Sequence, residues 1–306
     1  MPRQVVGLVD VETSHPGSWI PIIKELGYAV AVYDSGRRYS AAQIEEFALR
    51  HGVERVFHDL AEMAEEVDLG LIATANWDLH LAQSAPFIAR GKPVLIDKPL
   101  VGCWDDVAQL LGLAQAGAVV GGGSSLRYST AAAALKEKLQ AAGETILSVY
   151  TVCSGMGYYY AVHLVSLLQA LIGPGIARVR ALEVSPLRVE FSWGTGQAGA
   201  IEVVPPSRGA VPFAALVVTD MGTHHLQIDD VTALYRDFLG TVIPALVEGR
   251  PPVPLVELLE VERALLAALV SREQGGTWVE VSGLDGRGGR LPVYDGTQFF
   301  AGYLGR

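Results

Sequence analysis

The sequence predicts an α/β protein in two parts. An N-terminal, doubly wound parallel sheet spans residues 1–124, and a C-terminal α+β domain with a large, mostly antiparallel sheet spans 125–306. Three observations carry this. Short apolar strands alternate with helical segments from residue 4 to about residue 122, the rhythm of right-handed βαβ units. From about residue 145 that rhythm gives way to closely spaced strands joined by Gly/Pro turns, as in an antiparallel sheet. The chain has 306 residues, 50% hydrophobic and 18% charged, enough for two cores.

The elements follow in order. Residues 4–10 (QVVGLVD) form a continuous apolar strand of the kind buried on both faces of a parallel sheet. A loop, VETSHPGS, leads into a helix that stops at Gly27. Residues 28–33 form the second strand, 40–51 a helix, 55–57 a short strand, and LAEMAEEV a helix. Residues 68–73 form a strand, 78–90 a helix and 93–96 a strand, and a last helix–strand unit covers about 104–122. In the second half VRALEV, LRVEFSW, AIEVV and AALVVTD read as strands, and long helices fall near 230–248 and 256–271. The tail, rich in Gly and aromatics, reads as an arm packed on the body or on a neighbouring subunit.

Composition narrows the function. The formal charge is −10, which argues against nucleic acid as a partner because phosphate binding wants a basic face. No basic run suggests a membrane surface. Ala161 to Ile172 is too short and too polar, with His163 and Gln169, to span a bilayer. The N-terminus lacks a signal-peptide pattern, and the two cysteines, Cys103 and Cys153, make neither a metal pair nor a disulfide framework. A cytoplasmic location is expected. His224 and His225 are adjacent, so in a strand they face opposite ways; with no His-x-x-x-His or Cys-x-x-Cys spacing, no catalytic metal is expected. No Gly-x-Ser-x-Gly elbow or Walker loop occurs.

Three stretches together resemble one family. ATANWDLHLAQSAPFIARGKPVLIDKPL (residues 73–100) carries Ala-Thr-x-Asn after the fourth strand, a His four residues on, and Asp97-Lys98-Pro99 after the fifth. GGGSSLRYS ends in the pair Arg127-Tyr128, and AVHLVSLLQALIG (161–173) is a helix carrying His163. In order and spacing these are similar to the glucose–fructose oxidoreductase/inositol dehydrogenase (Gfo/Idh/MocA) family. The resemblance implies a Rossmann dinucleotide-binding domain, a substrate domain, and an NAD(P)-dependent oxidoreductase acting on a hydroxyl or carbonyl of a small sugar, cyclitol or related metabolite.

Lys98 is the first candidate, since ligands of open α/β sheets bind at the carboxyl ends of strands. A lysine partly desolvated there drops its pKa and can move a proton. The resemblance places it beside nicotinamide and substrate. His163 is the proton-transfer partner, its imidazole titrating near neutrality; its bland alternative is a core histidine among Val162, Leu164 and Leu168. Family dehydrogenases carry an Asp four residues before this His and an acidic residue three after it; here Tyr159 and Ser166 stand there. Tyr159, one turn away, is expected to orient the imidazole or donate to substrate. Tyr160 and Arg127 are expected to line the substrate site, the alternative for Arg127 being a salt bridge between the domains.

The glycine loop departs most. Asp10 and Glu12 occupy the places of the first two glycines of the fingerprint, and carboxylates beside a diphosphate cost energy unless they point away or are paired. Thr13, Ser14 and His15 lie at a helix N-terminus, where backbone N–H groups favour an anion. Asp34 ends the second strand where an acid accepts from an adenosine ribose, favouring NAD over NADP, while Arg37 or Arg38 suits a 2′-phosphate. Thr74, Asn76, His80 and Asp97 are expected to line the cofactor cleft. Two alternatives stay open: cofactor-assisted elimination or hydrolysis through transient oxidation, and a non-catalytic binding protein that keeps the shape. Assembly is expected to be a homodimer or homotetramer through the open face of the second sheet.

Overall fold

The computed structural model describes residues 3–182, 186–284 and 291–304. The first half runs β1 (Val5–Val9), α1 (Ser14–Glu25), β2 (Ala29–Tyr33), α2 (Ala41–His51), β3 (Arg55–Phe57), α3 (Leu60–Glu66), β4 (Leu69–Ile72), α4 (His80–Ile88), β5 (Val94–Asp97), α5 (Trp104–Gln115) and β6 (Val120–Gly123). The strands lie in the order β3-β2-β1-β4-β5-β6, all parallel. β4 and β5 are buried throughout, as unbroken apolar runs require of a sheet covered on both faces. The helices start where the sequence offers caps: Thr13 Oγ1 accepts from His15 N, and Asp59 accepts from Glu62 N. Gly52, at φ 60°, ends α2 in the left-handed region.

The strand order reverses direction between β1 and β4. Crevices at such switch points, beyond the carboxyl ends of the strands, are where open α/β sheets bind ligands. That edge collects Asp10 to Ser14, Asp34 to Arg38, Ala73 to Trp77 and Asp97 to Leu100. Here Gly122, at φ 124°, leaves no room for a Cβ against the Ile96 carbonyl, which lets β6 close on β5.

The second half contains α6 (Thr130–Ala142), β7 (Ile146–Ser154), α7 (Gly157–Ile172), β8 (Ile176–Leu182), β9 (Leu187–Trp193), β10 (Ala198–Val204), β11 (Phe213–Thr219), β12 (Thr223–Ile228), α8 (Val231–Val247), α9 (Leu255–Glu273), β13 (Val279–Glu280) and α10 (Gly296–Leu304). Its sheet runs β12-β11-β7-β10-β9-β8-β13. Every pairing is antiparallel except β7 with β10. The chain leaves β7 through α7, and a helical crossover of this kind can return a strand in parallel. Burial alternates along β8, β9 and β10, so one face packs inward. The other carries the ion pairs Arg180–Glu190 and Arg188–Glu202. The expected strand VRALEV ends at Leu182, and its Glu183 and Val184 lie outside the described residues, as do 285–290 of the tail.

Two late helices return to the first sheet. Phe238, Leu239, Val242 and Ile243 of α8 share a core with Val6, Leu8, Trp19 and Ile20. Leu255, Leu258, Leu259 and Leu266 of α9 share another with Ile72, Phe87 and Ile96. No helix among the described residues is long and apolar enough to cross a membrane.

The tail is docked on its own chain. Tyr294 N donates to Gly102 O, Trp77 Nε1 donates to Tyr294 O, and the Tyr294 ring stacks on Tyr158 with centroids 3.6 Å apart. A Cβ on Gly102 would collide with the Tyr294 carbonyl and the Trp77 ring, so the glycine admits this close approach. The arm ends in a nine-residue helix, α10.

Candidate active site

β5 delivers Asp97 and Lys98 to the switch-point edge, and α7 brings His163 to them from the second half. Lys98 is 3% exposed. Burial pushes its ammonium down to about 7, against the opposing pull of Asp97. Its Nζ lies 3.0 Å from the centroid of the Tyr159 ring and 5.8 Å from that of Tyr160. Cys153 stands nearby, and burial raises that thiol to about 12, so it stays protonated. The Lys98-Pro99 peptide is cis.

His163 is also buried, and burial, then the charges of Lys98 and His15, hold it well below the ordinary imidazole range. Its Nδ1 is 2.7 Å from Ser124 Oγ. Ser124 Oγ also accepts from Leu126 N, which fixes the hydroxyl that meets the ring. The residue that orients this imidazole is therefore Ser124, which the sequence reading passed over. Tyr159 does not take the expected orienting role: its ring is the floor under Lys98.

His15 reaches across the edge to Asp97, Nδ1 to Oδ2 2.6 Å, and stacks on Trp19 with centroids 4.7 Å apart. Burial would raise Asp97, but the His15 contact and the neighbouring Lys98 hold it below the ordinary carboxylate range. Lys98, His163, Tyr159, Tyr160, His15 and Asp97 thus come together.

Other expected site residues are committed elsewhere. His80 is fully buried with Nδ1 3.1 Å from Leu100 O and Nε2 2.9 Å from Thr74 O. It ties the β4 loop to the turn after Lys98 and has no face toward a cofactor. Thr74 Oγ1 turns inward to Asp10 and Gln83. Arg127 pairs with Glu257 at 3.0 Å and also bonds Gln169, so it fastens α9 to α7 and is not free for substrate. Asn76 binds Thr297 through Nδ2 at 3.1 Å. Arg38 donates to Glu12 O at 2.6 Å, and its guanidinium lies 5.1 Å from the Tyr303 ring. On the outer sheet, His224 pairs with Glu144 at 2.7 Å.

The two acids of the rewritten loop are turned inward. Asp10, at φ 62°, keeps the left-handed conformation of a first glycine. Its carboxylate accepts from Ser35 N and Oγ, Arg37 Nη2, Thr74 Oγ1 and Gln83 Nε2, all at 2.7 Å. Glu12 accepts from Ala75 N at 3.0 Å and Arg37 Nε at 3.2 Å. Burial first, and Asp10 second, raise its pKa. Neither charge points at the edge.

Beside β2 the edge offers a cavity and a carboxylate with free lone pairs. A cavity of about 130 Å³ lies between Asp34, Tyr39, Ile44, Phe57 and His58. Asp34 accepts from Val11 N and Gly36 N, and each oxygen retains a lone pair for a ribose hydroxyl. The helix start is less generous: His15 N is taken by Thr13 Oγ1, and Pro16 has no N–H. Thr13 and Ser14 instead line a separate cavity of about 250 Å³ against α2. Over the other half of the edge lies α10. A larger cavity, about 690 Å³, opens behind it between Tyr158, Tyr159, Arg272 and Phe299.

Glu262 on α9 also supports the Lys98 turn. It is fully buried, Oε1 accepts from Leu100 N at 3.1 Å, and Oε2 has no partner. Burial raises it from 4.5 to about 7. The folded state then holds the proton that the unfolded state releases between those values, so this group's contribution to stability falls as pH rises from about 4.5 to 7. Glu262→Gln is expected to stabilise the protein by about 1–3 kcal/mol at pH 8 and leave it unchanged at pH 4. Urea unfolding at both pH values measures this; equal effects at the two would refute it.

Comparison with known proteins follows this geometry. The model of an oxidoreductase family with an NAD-binding Rossmann fold, GFO_IDH_MocA, matches residues 6–139. The NADP(+)-dependent scyllo-inositol 2-dehydrogenase IolU of Bacillus subtilis is 36% identical over 83 residues; the match spans 26% of this chain and 25% of that protein. Among solved structures, a probable dehydrogenase from Thermotoga maritima superposes with TM-score 0.79 at 17% identity, over 92% of this chain and 100% of the other. The scyllo-inositol dehydrogenase of Lactobacillus casei, with bound NAD(H) and scyllo-inositol, gives 0.75 at 13%, over 92% and 99%.

Proposed function

We propose that the chain is a dinucleotide-dependent oxidoreductase of a small sugar, cyclitol or related metabolite, a reading supported by the match of residues 6–139 to the GFO_IDH_MocA oxidoreductase model. One observation carries the reading: a buried lysine with its pKa drawn to about 7 and a neutral, oriented imidazole meet at the switch-point edge. The nicotinamide, when bound, supplies hydride acceptance or donation. Lys98 Nζ, its pKa drawn down to about 7, takes the alcohol proton or returns it. His163, held neutral and oriented by Ser124, hydrogen-bonds the substrate oxygen and fixes its place. Asp97 balances the charge that appears on Lys98, and His15 holds Asp97. Asp34 would hold the ribose of an NAD, and Arg38 suits the 2′-phosphate of an NADP. The half-exposed face of the second sheet suits self-association as a homodimer or homotetramer.

A second reading is favoured by one observation: α10 lies over the edge where a diphosphate would pass, its Phe300 ring facing Arg37 at 5.5 Å. On that reading the chain binds a small molecule without redox chemistry. Titrating NADH and NADPH into the pure protein separates the two. Saturable enhancement of nicotinamide fluorescence is expected for at least one of them. No saturation at millimolar cofactor would defeat the redox reading.

A further inference from the structure

The strand order sets β4 and β2 on either side of β1, so a dinucleotide spread over the edge must pass over three strand ends. α10 takes that same path. At its start, Gly296 N donates to Asp78 Oδ1 at 3.0 Å, Thr297 N and Oγ1 donate to Asp78 Oδ2 at 2.8 and 2.9 Å, and Asn76 Nδ2 reaches Thr297 Oγ1. These partners follow β4. In its middle, Phe300 is 7% exposed and faces the Arg37 guanidinium at 5.5 Å; near its end, Tyr303 faces Arg38. Both arginines follow β2. Its remaining aromatic, Phe299, stacks on Tyr159, the floor under Lys98, with centroids 4.7 Å apart. Nine residues of helix are about 13 Å long, and the step from β4 to β2 is about 10 Å.

We propose that α10 is the crevice's own occupant and that a dinucleotide enters only when α10 swings out, pivoting on the anchored Tyr294. This rests on the cofactor reading above. The docking is built to close: a Cβ on Gly296 would strike Asn76 and Asp78, so this start of the helix fits only a glycine. It is also built to open. A nine-residue helix that starts on a glycine, carries a second, Gly302, in its last turn, and has a Thr beside the first is marginal by itself, and only Gly296 and Phe300 of α10 are buried. Opening uncovers Arg38 and the faces of Tyr159 and Trp77, a cation and two aromatic planes suited to a phosphate and a flat ring. Closing excludes water from Lys98 when no cofactor is present, and so the enzyme without its cofactor is held shut.

The test uses the full-length protein and NADH. Asp78 is exposed, so Asp78→Ala removes the helix's anchoring hydrogen bonds without opening the core. Phe300→Ala removes the contact with Arg37. Both are expected to tighten NADH binding about tenfold, because apparent affinity scales with the open fraction. Hydrogen exchange at residues 296–304 is expected to accelerate when NADH is added to the wild type. Saturable binding with unchanged affinity in both variants, or exchange at 296–304 that slows with NADH, overturns the displacement alone. Binding by none of the three proteins overturns the cofactor reading and the displacement with it.

Discussion

Arg37→Met is expected to cost about 3–5 kcal/mol of stability at pH 8, the usual penalty for leaving buried charge unpaired. The Arg37 side chain is 25% exposed, while those of Asp10 and Glu12 are both 0% exposed. Its Nη2 meets Asp10 and its Nε meets Glu12. A single guanidinium fork therefore compensates two carboxylates that stand where glycines belong. Hydrophobic replacement leaves Asp10 with its neutral donors but strips Glu12 to one backbone N–H. The pH dependence follows from Glu12, whose pKa is already raised. An acid raised in the folded state holds a proton that the unfolded chain has lost, so stability falls as pH climbs through that window. Removing Arg37 raises it further, and the deficit should shrink toward pH 5. Arg37→Lys keeps the charge and loses the fork, for about 1–2 kcal/mol. Urea unfolding at pH 5 and pH 8 measures all of this. An unchanged midpoint for Arg37→Met at pH 8 would show that the acids do not depend on it.

The alternation of β1 to β6 was legible because each strand is a short apolar run between a cap and a turn, and each helix keeps one apolar face. The two-part organisation followed from the change of rhythm at about residue 145. The motifs around Lys98 and His163 marked both as candidates, and the fold brings the two to one edge. What stayed hidden was whatever depends on partners distant in sequence. For Arg127 the sequence left a site residue and a salt bridge both open, and only Glu257, brought back by α9, decides for the ion pair. His80 reads as either a cleft residue or a structural helix residue, and only Thr74 and Leu100, which close over both ring nitrogens, decide for the second. Ser124 is one serine among several; only the approach of His163 from α7 marks it. α10 has poor intrinsic helix formers and exists through Asp78, Gly102 and Arg37, all far upstream. The acids of the loop could be judged only once Arg37, Thr74 and Gln83 were seen around them.

Lys98→Met is expected to lower turnover by about 10²–10⁴-fold, the range for losing a positioned proton-transfer group, while making the protein more stable. The stability gain follows from the buried amine. In the unfolded chain the amine titrates at 10.5, and in the folded protein at about 7. Between those values the unfolded state holds a proton that the folded state has released. Stability therefore rises with pH across that window and is lowest below about 7. Methionine has a similar reach and a thioether that packs well on the Tyr159 ring, and it removes the cost, worth up to about 4 kcal/mol at pH 7 and below. Thermal unfolding should place the variant above the wild type at pH 6 and converge with it near pH 10. In the wild type, turnover in the oxidative direction should climb with pH through about 7 as Lys98 loses its proton, and that limb should vanish in Lys98→Met. A variant that keeps wild-type turnover would remove Lys98 from the chemistry. One that is less stable at pH 6 would mean that the folded protein holds the ammonium comfortably, and the argument from burial would fall.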